Sequence, residues 1–533
     1  MRAELAVAHR AFRQLWLTAT VWAVVFGATV AASAVTYVSS FPDLASRQQI
    51  AASTGQDAGV SMLLGPISAI DTVGGYTVYK CYVFLTTIGA IWGLLAATRL
   101  LRGEEDTGRW QLVLAGGTRA SRATLATLAA LAGAVAIVFA GTVGGTLLAA
   151  RNPDVGFATG DALVYGLSIA TAPAVFIALG ALTSQLGRSR RVATGLGMTV
   201  FGIAFVVRML ADSGTATHWM LWLTPFGWIE RMRPFSENDP RPLLVAAAVV
   251  AVLAGLAVVL AARRDTGSGV LASRDTAPPR WWGLQSPLGL AARLDWPVLV
   301  AWCGGALGAA YAFGIIAKIA TGSIPTSFND VLGKFGLQGS FLRQFLGVSF
   351  LFFATLVALV PVSQVGALAD EETSGRLVHL LVRPVRRWTL LAGRLALATT
   401  AVVVAAVLSG FGAWAGAKTQ GVDPGLGSML GAGLNLIPTA LVVLGAGAVV
   451  LAVAPRAAAP AVYGIVTWSF LGDLLASLVD GLGWLERLSL FHYLALAPAQ
   501  GIDAATACVC VAVAAALAGL ALTLFSRRDV ATG

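Results

Sequence analysis

The chain has 533 residues, of which 57% are hydrophobic and 12% charged, about half the charged share of a soluble globular domain. That balance excludes an ordinary water-soluble fold and predicts an all-α polytopic membrane protein. A net charge of +10 could suggest nucleic acid, but the basic residues sit in small clusters beside apolar runs, where topogenic charge explains them better.

Residues 2–14 place Leu5, Ala8 and Phe12 near one helical face, with Glu4, Arg10 and Arg13 largely off it. This is the pattern of a helix lying in the inner membrane interface. No short apolar run with a small-residue cleavage site follows, so no removable signal peptide is expected. Apolar runs of about 20 residues, enough to cross a bilayer, lie near 15–38, 77–98, 123–150, 161–186, 192–212 and 243–262. Six more lie near 297–318, 341–369, 390–416, 432–454, 461–480 and 504–525. Between the two sets, the stretch 265–280 is rich in Gly, Ser and Pro and reads as a linker. The expected organisation is a six-span domain at 1–264, a cytoplasmic linker at 265–280 and a second six-span domain at 281–533. Trp281 and Trp282 would anchor a second interfacial helix ahead of the seventh span.

An even number of spans per half makes the repeat parallel rather than inverted. Most of the 36 basic residues then fall on the side of the N-terminus. The positive-inside rule places both termini and both motif loops in the cytoplasm, and the expected location is the plasma (inner) membrane.

The stretch GEEDTGRW at 103–110 recurs half a chain later as DEETSGRL at 370–377. Glu104, Glu105, Gly108 and Arg109 thereby correspond to Glu371, Glu372, Gly375 and Arg376. Carboxylates near a helix start, with apolar residues at helical spacing behind them, predict a short amphipathic helix parallel to the membrane. The two halves also close alike, on Ala262-Arg263-Arg264-Asp265 and Ser526-Arg527-Arg528-Asp529.

Outside the membrane, the segment after the fifth span holds Trp219, Trp222 and Trp228, and that after the eleventh holds Trp484, Phe491 and Tyr493. Both are too apolar for plain loops and too broken for spans. They predict re-entrant or interfacial hairpins, or an aromatic belt at the span ends. Arg208 and Asp473 occupy equivalent places within their spans, to about one helical turn. They either pair across the two halves, line an outer gate, or snorkel to water.

The four cysteines, Cys81, Cys303, Cys508 and Cys510, lie in apolar surroundings and read as packing residues. The four histidines lie apart, so no metal site is expected. There is no G-x-x-x-x-G-K-[ST] loop and no nucleophile elbow, so the chain is not expected to hydrolyse ATP or act as an enzyme by itself.

The interfacial helix, the E-E-x-x-G-R loop between spans two and three, the apolar hairpin between spans five and six and the closing arginine pair together resemble the ABC-2-type permeases. The resemblance covers the whole chain, twice. In size and fused architecture the chain is similar to the actinobacterial exporters of polyketide antibiotics such as tetronasin. The resemblance implies two copies of a separate ABC ATPase that bring the ATP and magnesium, with no cofactor in this chain. Glu104, Glu105, Gly108, Arg109, Glu371, Glu372, Gly375 and Arg376 would be the coupling contacts, and the cargo a small hydrophobic or amphipathic antibiotic, drug or lipid moved outward. One departure stands out: Gly116-Gly117-Thr118 follows the first motif where Arg383-Pro384-Val385 follows the second, so the two contacts need not be equal.

The alternative is an ion-coupled efflux transporter of the major facilitator type. Gly366 to Asp370 resembles its loop signature, but Gly375 lies too far from Asp370 and the spans nearly lack the acidic groups that ion coupling needs.

Overall fold

The computed structural model describes residues 2–54, 65, 69–212, 215–271, 283, 286–317, 341–373, 375, 377, 382, 386–478 and 488–528. Every regular element among them is helical, as a lipid-spanning chain requires, because only a helix satisfies its own backbone in hydrocarbon. Eleven of these helices are long and apolar enough to cross a membrane. The chain is a multi-pass all-α membrane protein. It divides into two compact units, Met1–Ala277 and Pro278–Gly533.

In the first unit, α1 (Arg2–Ser40) is followed by α2 (Leu44–Thr54) and α3 (Val73–Thr98). The latter runs on through a π-helical turn at Arg99–Gly103 and one α-turn at Glu104–Asp106. Then come α4 (Arg109–Ala115), α5 (Ala120–Ala149), α6 (Thr159–Leu186) and α7 (Arg190–Ala211). A 3-10 helix at Thr215–Leu223, α8 (Pro225–Arg231) and α9 (Arg241–Arg263) complete the unit.

The separate interfacial helix expected at 2–14 is absent, because α1 is unbroken from Arg2 onward. No glycine or proline interrupts its first turns. Ala11 and Leu15 are instead buried against Ala96, Ala97 and Leu100 of the α3 segment and Ala130 and Leu131 of α5.

The second unit contains α10 (Pro287–Ile316), α11 (Phe341–Thr373), α12 (Arg387–Thr419), α13 (Leu426–Leu434), α14 (Ile437–Val453), α15 (Pro455–Leu478) and α16 (Ala504–Arg527). Helix α15 stands where the eleventh span is expected. Trp281 and Trp282, offered as anchors of a second interfacial helix, lie outside the described residues. Within α10 the chain is helical from Pro287 through Pro297 and onward.

Each unit packs its first long helix on its third through small residues, the device that lets helix backbones approach where no hydrophobic force drives them together. In the first unit Ala23 and Gly27 of α1 meet Gly141 and Gly145 of α5 so closely that a methyl group on Gly145 would overlap the Gly27 main chain. In the second, Gly412 and Gly416 of α12 meet the backbone of Leu307 and Tyr311 on α10 in the same way.

Candidate functional site

The motif carboxylates lie on the last turn of a long helix and not, as expected, on the first turn of a short one. Nothing in TRLLRGEED stops α3 firmly: the π-helical turn absorbs Gly103, and helix continues through Glu104 and Glu105 to Asp106. The break comes at Gly108, whose φ of +75° only glycine adopts readily. Beyond it α4 begins at Arg109, anchored by Trp110, which is buried with Leu101, Ala123, Ala181 and Ala257. In the second unit α11 likewise carries Glu371 and Glu372 to its end at Thr373, and Gly375 has a φ of +72°. Among the described residues, chain neighbours aside, neither motif glycine has an atom within 4 Å of where a Cβ would sit.

A carboxylate at a helix C-terminus faces the negative end of the helix dipole and is disfavoured there. Arginines drawn from distant segments reverse that balance. Arg264, just past the end of α9, grips Glu105 with a two-pronged contact: Nη1 donates to Oε1 at 2.7 Å and Nη2 donates to Oε2. The Gly267 N–H donates to the same Oε1 at 2.6 Å, and the fully buried Arg102 lies 3.4 Å from Oε2. Arg264 Nε also donates to Gln185 Oε1 at the end of α6, at 2.7 Å.

The second unit has a one-pronged counterpart of this grip. Arg528, just past the end of α16, donates to Glu372 and also, at 3.3 Å, to the Leu451 carbonyl near the end of α14. In both units one arginine therefore ties the ends of three long helices together at the second motif carboxylate. Glu372 is 2% exposed and Glu105 7%, so these are buried pairs; removing one partner of such a pair costs about 3–5 kcal/mol.

The first motif carboxylates are held differently. Glu104 accepts from Arg109 through both oxygens at 3.0 Å and from Arg10 of α1 at 2.8 Å. Glu371 accepts from Arg394 of α12, which also donates to Asp295 of α10. Arg376, and the segment Arg383-Pro384-Val385, lie outside the described residues. Leu112, on α4, is an exposed apolar residue of the first motif region, at 77%.

The opposite end of the first unit holds a second polar cluster. Arg208, near the end of α7, is 1% exposed and so does not snorkel. Its Nε lies 3.0 Å from Asp212 Oδ2 and 2.6 Å from Glu230 Oε1. It thus pairs inside its own half; the side chain of Asp473, its expected partner, lies outside the described residues. Burial, with the nearby Glu230 charge second, pushes the Asp212 carboxyl up to about 8. Burial also raises Glu230, against the pull of Arg208.

The expected aromatic hairpin is two short helices, with Trp228 buried against Val175 and Ala246 and its indole N–H donating to the Trp222 carbonyl at 2.6 Å. Trp219 and Trp222 are exposed. In the second unit Phe491 is buried within a 3-10 helix at Phe491–Tyr493, and Trp484 lies outside the described residues. The four cysteines are free thiols.

A model of the family described as "Multidrug efflux system permease Rv1217c, C-terminal domain" matches residues 1–260 and 284–526. The chain belongs to this family. The multidrug efflux system permease protein Rv1217c of Mycobacterium tuberculosis (strain ATCC 25618 / H37Rv) is 28% identical over 509 residues, 93% of this chain and 90% of that protein. Membership in the multidrug efflux permease family supports a drug-efflux permease role, and the match leaves out only residues 261–283 and the last few.

Proposed function

We propose that the chain is the membrane permease of an ATP-driven ABC exporter of the ABC-2 type, moving a hydrophobic or amphipathic compound, such as an antibiotic, drug or lipid, out of the cell. Two copies of a separate ATPase bind the two motif regions from the cytoplasm and carry the ATP and magnesium. The observation that carries this reading is the recurrent grip of Arg264 on Glu105 and Arg528 on Glu372. A rigid knot at the end of three long helices is what a pushing partner needs, because force on the motif then moves whole helices rather than a loop. Arg109 and Leu112 offer that partner an exposed cation and an apolar side chain.

The test is reconstitution. The purified chain alone hydrolyses no ATP, and addition of the ATPase gives transport that stops when ATP is withheld. Transport driven by a proton gradient without ATP overturns the proposal and favours an ion-coupled transporter.

A further inference from the structure

The hairpin end of the first unit encloses a cavity of about 460 Å³, large enough for a drug-sized molecule. Tyr82, Trp222, Leu221 and Phe235 form apolar walls, and Glu230 lines it. The Glu230 side chain is 6% exposed. Its Oε1 meets Arg208, but its Oε2 is buried without a hydrogen-bond partner among the described residues. A carboxylate oxygen left so is costly unless a ligand completes it.

Two arginines, Arg231 and Arg233, also line the cavity. Arg231 lies over the Trp222 ring at 4.7 Å and donates to the His218 carbonyl at 3.4 Å. Arg233 pairs with Glu237. Arg208 faces Asp212 and Glu230; Asp212, raised by burial, keeps its proton, which leaves Glu230 as the anionic member of the cluster.

The wall is also built at a conformational cost. Arg233, Phe235 and Asn238 have φ of +43°, +64° and +49°, a region bulky side chains rarely occupy. The turn is held there by Asn238, which donates to Asp161 at 2.7 Å and accepts from the Phe235 N–H at 3.1 Å. Strain of this kind persists where the surroundings fix it and gathers at ligand sites.

We infer that this cavity is a binding site for amphipathic organic cations, with the Glu230 carboxylate as the anionic anchor and the aromatic side chains as cation-attracting walls. Regarding such a ligand as export cargo rests on the efflux reading above; the binding itself needs neither ATP nor the ATPase, so the two fail separately.

The test uses the full chain in lipid nanodiscs with tetraphenylphosphonium as probe and tetraphenylborate, its anionic counterpart of the same shape, as competitor. Wild type binds the phosphonium saturably above empty nanodiscs and the borate does not displace it. Glu230→Gln weakens binding about tenfold or more, which corresponds to about 1.4 kcal/mol. Val78 also lines the cavity; Val78→Phe, which fills it without changing charge, weakens binding as well and decides the matter should the Glu230 variant fail to assemble. Unchanged affinity in an assembled Glu230→Gln, unchanged affinity in Val78→Phe, or equal binding of the borate each overturns the proposal.

Discussion

Arg264 and Glu105 lie 159 residues apart in sequence and meet in a two-pronged contact, while Arg528 and Glu372 meet at a separation of 156. The same acidic position of each motif is thus closed by the same arginine of each half. A fork matched to a carboxylate is lost on exchange for lysine. Arg264→Lys should therefore lower the thermal stability of the detergent-purified protein more than Arg528→Lys, whose contact with Glu372 is one-pronged, and Arg264→Ala should lower it further, by about 3–5 kcal/mol. A charge exchange, Glu105→Arg with Arg264→Glu, should recover part of the loss; a double variant no more stable than either single one would show that the pair does not act as a unit.

The exposed pair behaves differently. The Arg109 side chain is 53% exposed where it meets Glu104, and such pairs contribute about 0–1 kcal/mol. Arg109→Ala and Leu112→Ser should leave melting unchanged yet raise the ATPase concentration needed for half-maximal stimulation. An unaltered titration curve in both variants would remove α4 from the contact.

Protonation of Asp212 sets a pH dependence. Its carboxyl is raised from the ordinary 3.8 to about 8, so between those values the native state holds a proton that the unfolded chain has released. Stability from this group is then greatest at the acid end and falls as pH rises toward 8. Asp212→Asn should flatten that decline, as read from melting temperatures across pH 5 to 9. The groups facing Asp212 include Arg208 and Glu230; Glu230→Gln should therefore pull the decline toward lower pH, since it removes the carboxylate charge that, after burial, raises Asp212 most.

Small residues at the helix crossings are the remaining point of test. Gly145→Leu in α5 or Gly416→Leu in α12 would press a side chain into the facing main chain. Each should abolish monodisperse protein on size exclusion, whereas Gly144→Leu, with open space around it, should not.

The apolar runs were legible in the sequence because lipid leaves a long hydrophobic helix almost no alternative, and the motif was legible because it occurs twice. The grip was not, since pairing over such separations leaves no local pattern. Its signal was nonetheless present: both halves end on Arg-Arg-Asp, and these endings stand nearly equal distances from their motif glutamates. At Arg208 the i,i+4 carboxylate, Asp212, stands one turn away, a spacing the sequence carries, while the side chain of Asp473 lies outside the described residues. The motif glutamates sit at the opposite helix end from the one their charge predicts, for an electrostatic reason. Dipole preference assigns carboxylates to a helix start, and only the guanidinium groups gathered around them make the opposite end acceptable.

Gly108 and Gly375 carry left-handed backbone, and among the described residues nothing stands where a side chain would be. Their demand is on handedness and not on size. D-alanine introduced by semisynthesis at either position should fit without displacing a neighbour, whereas L-alanine, equal in volume, would strain the turn at the end of each motif helix.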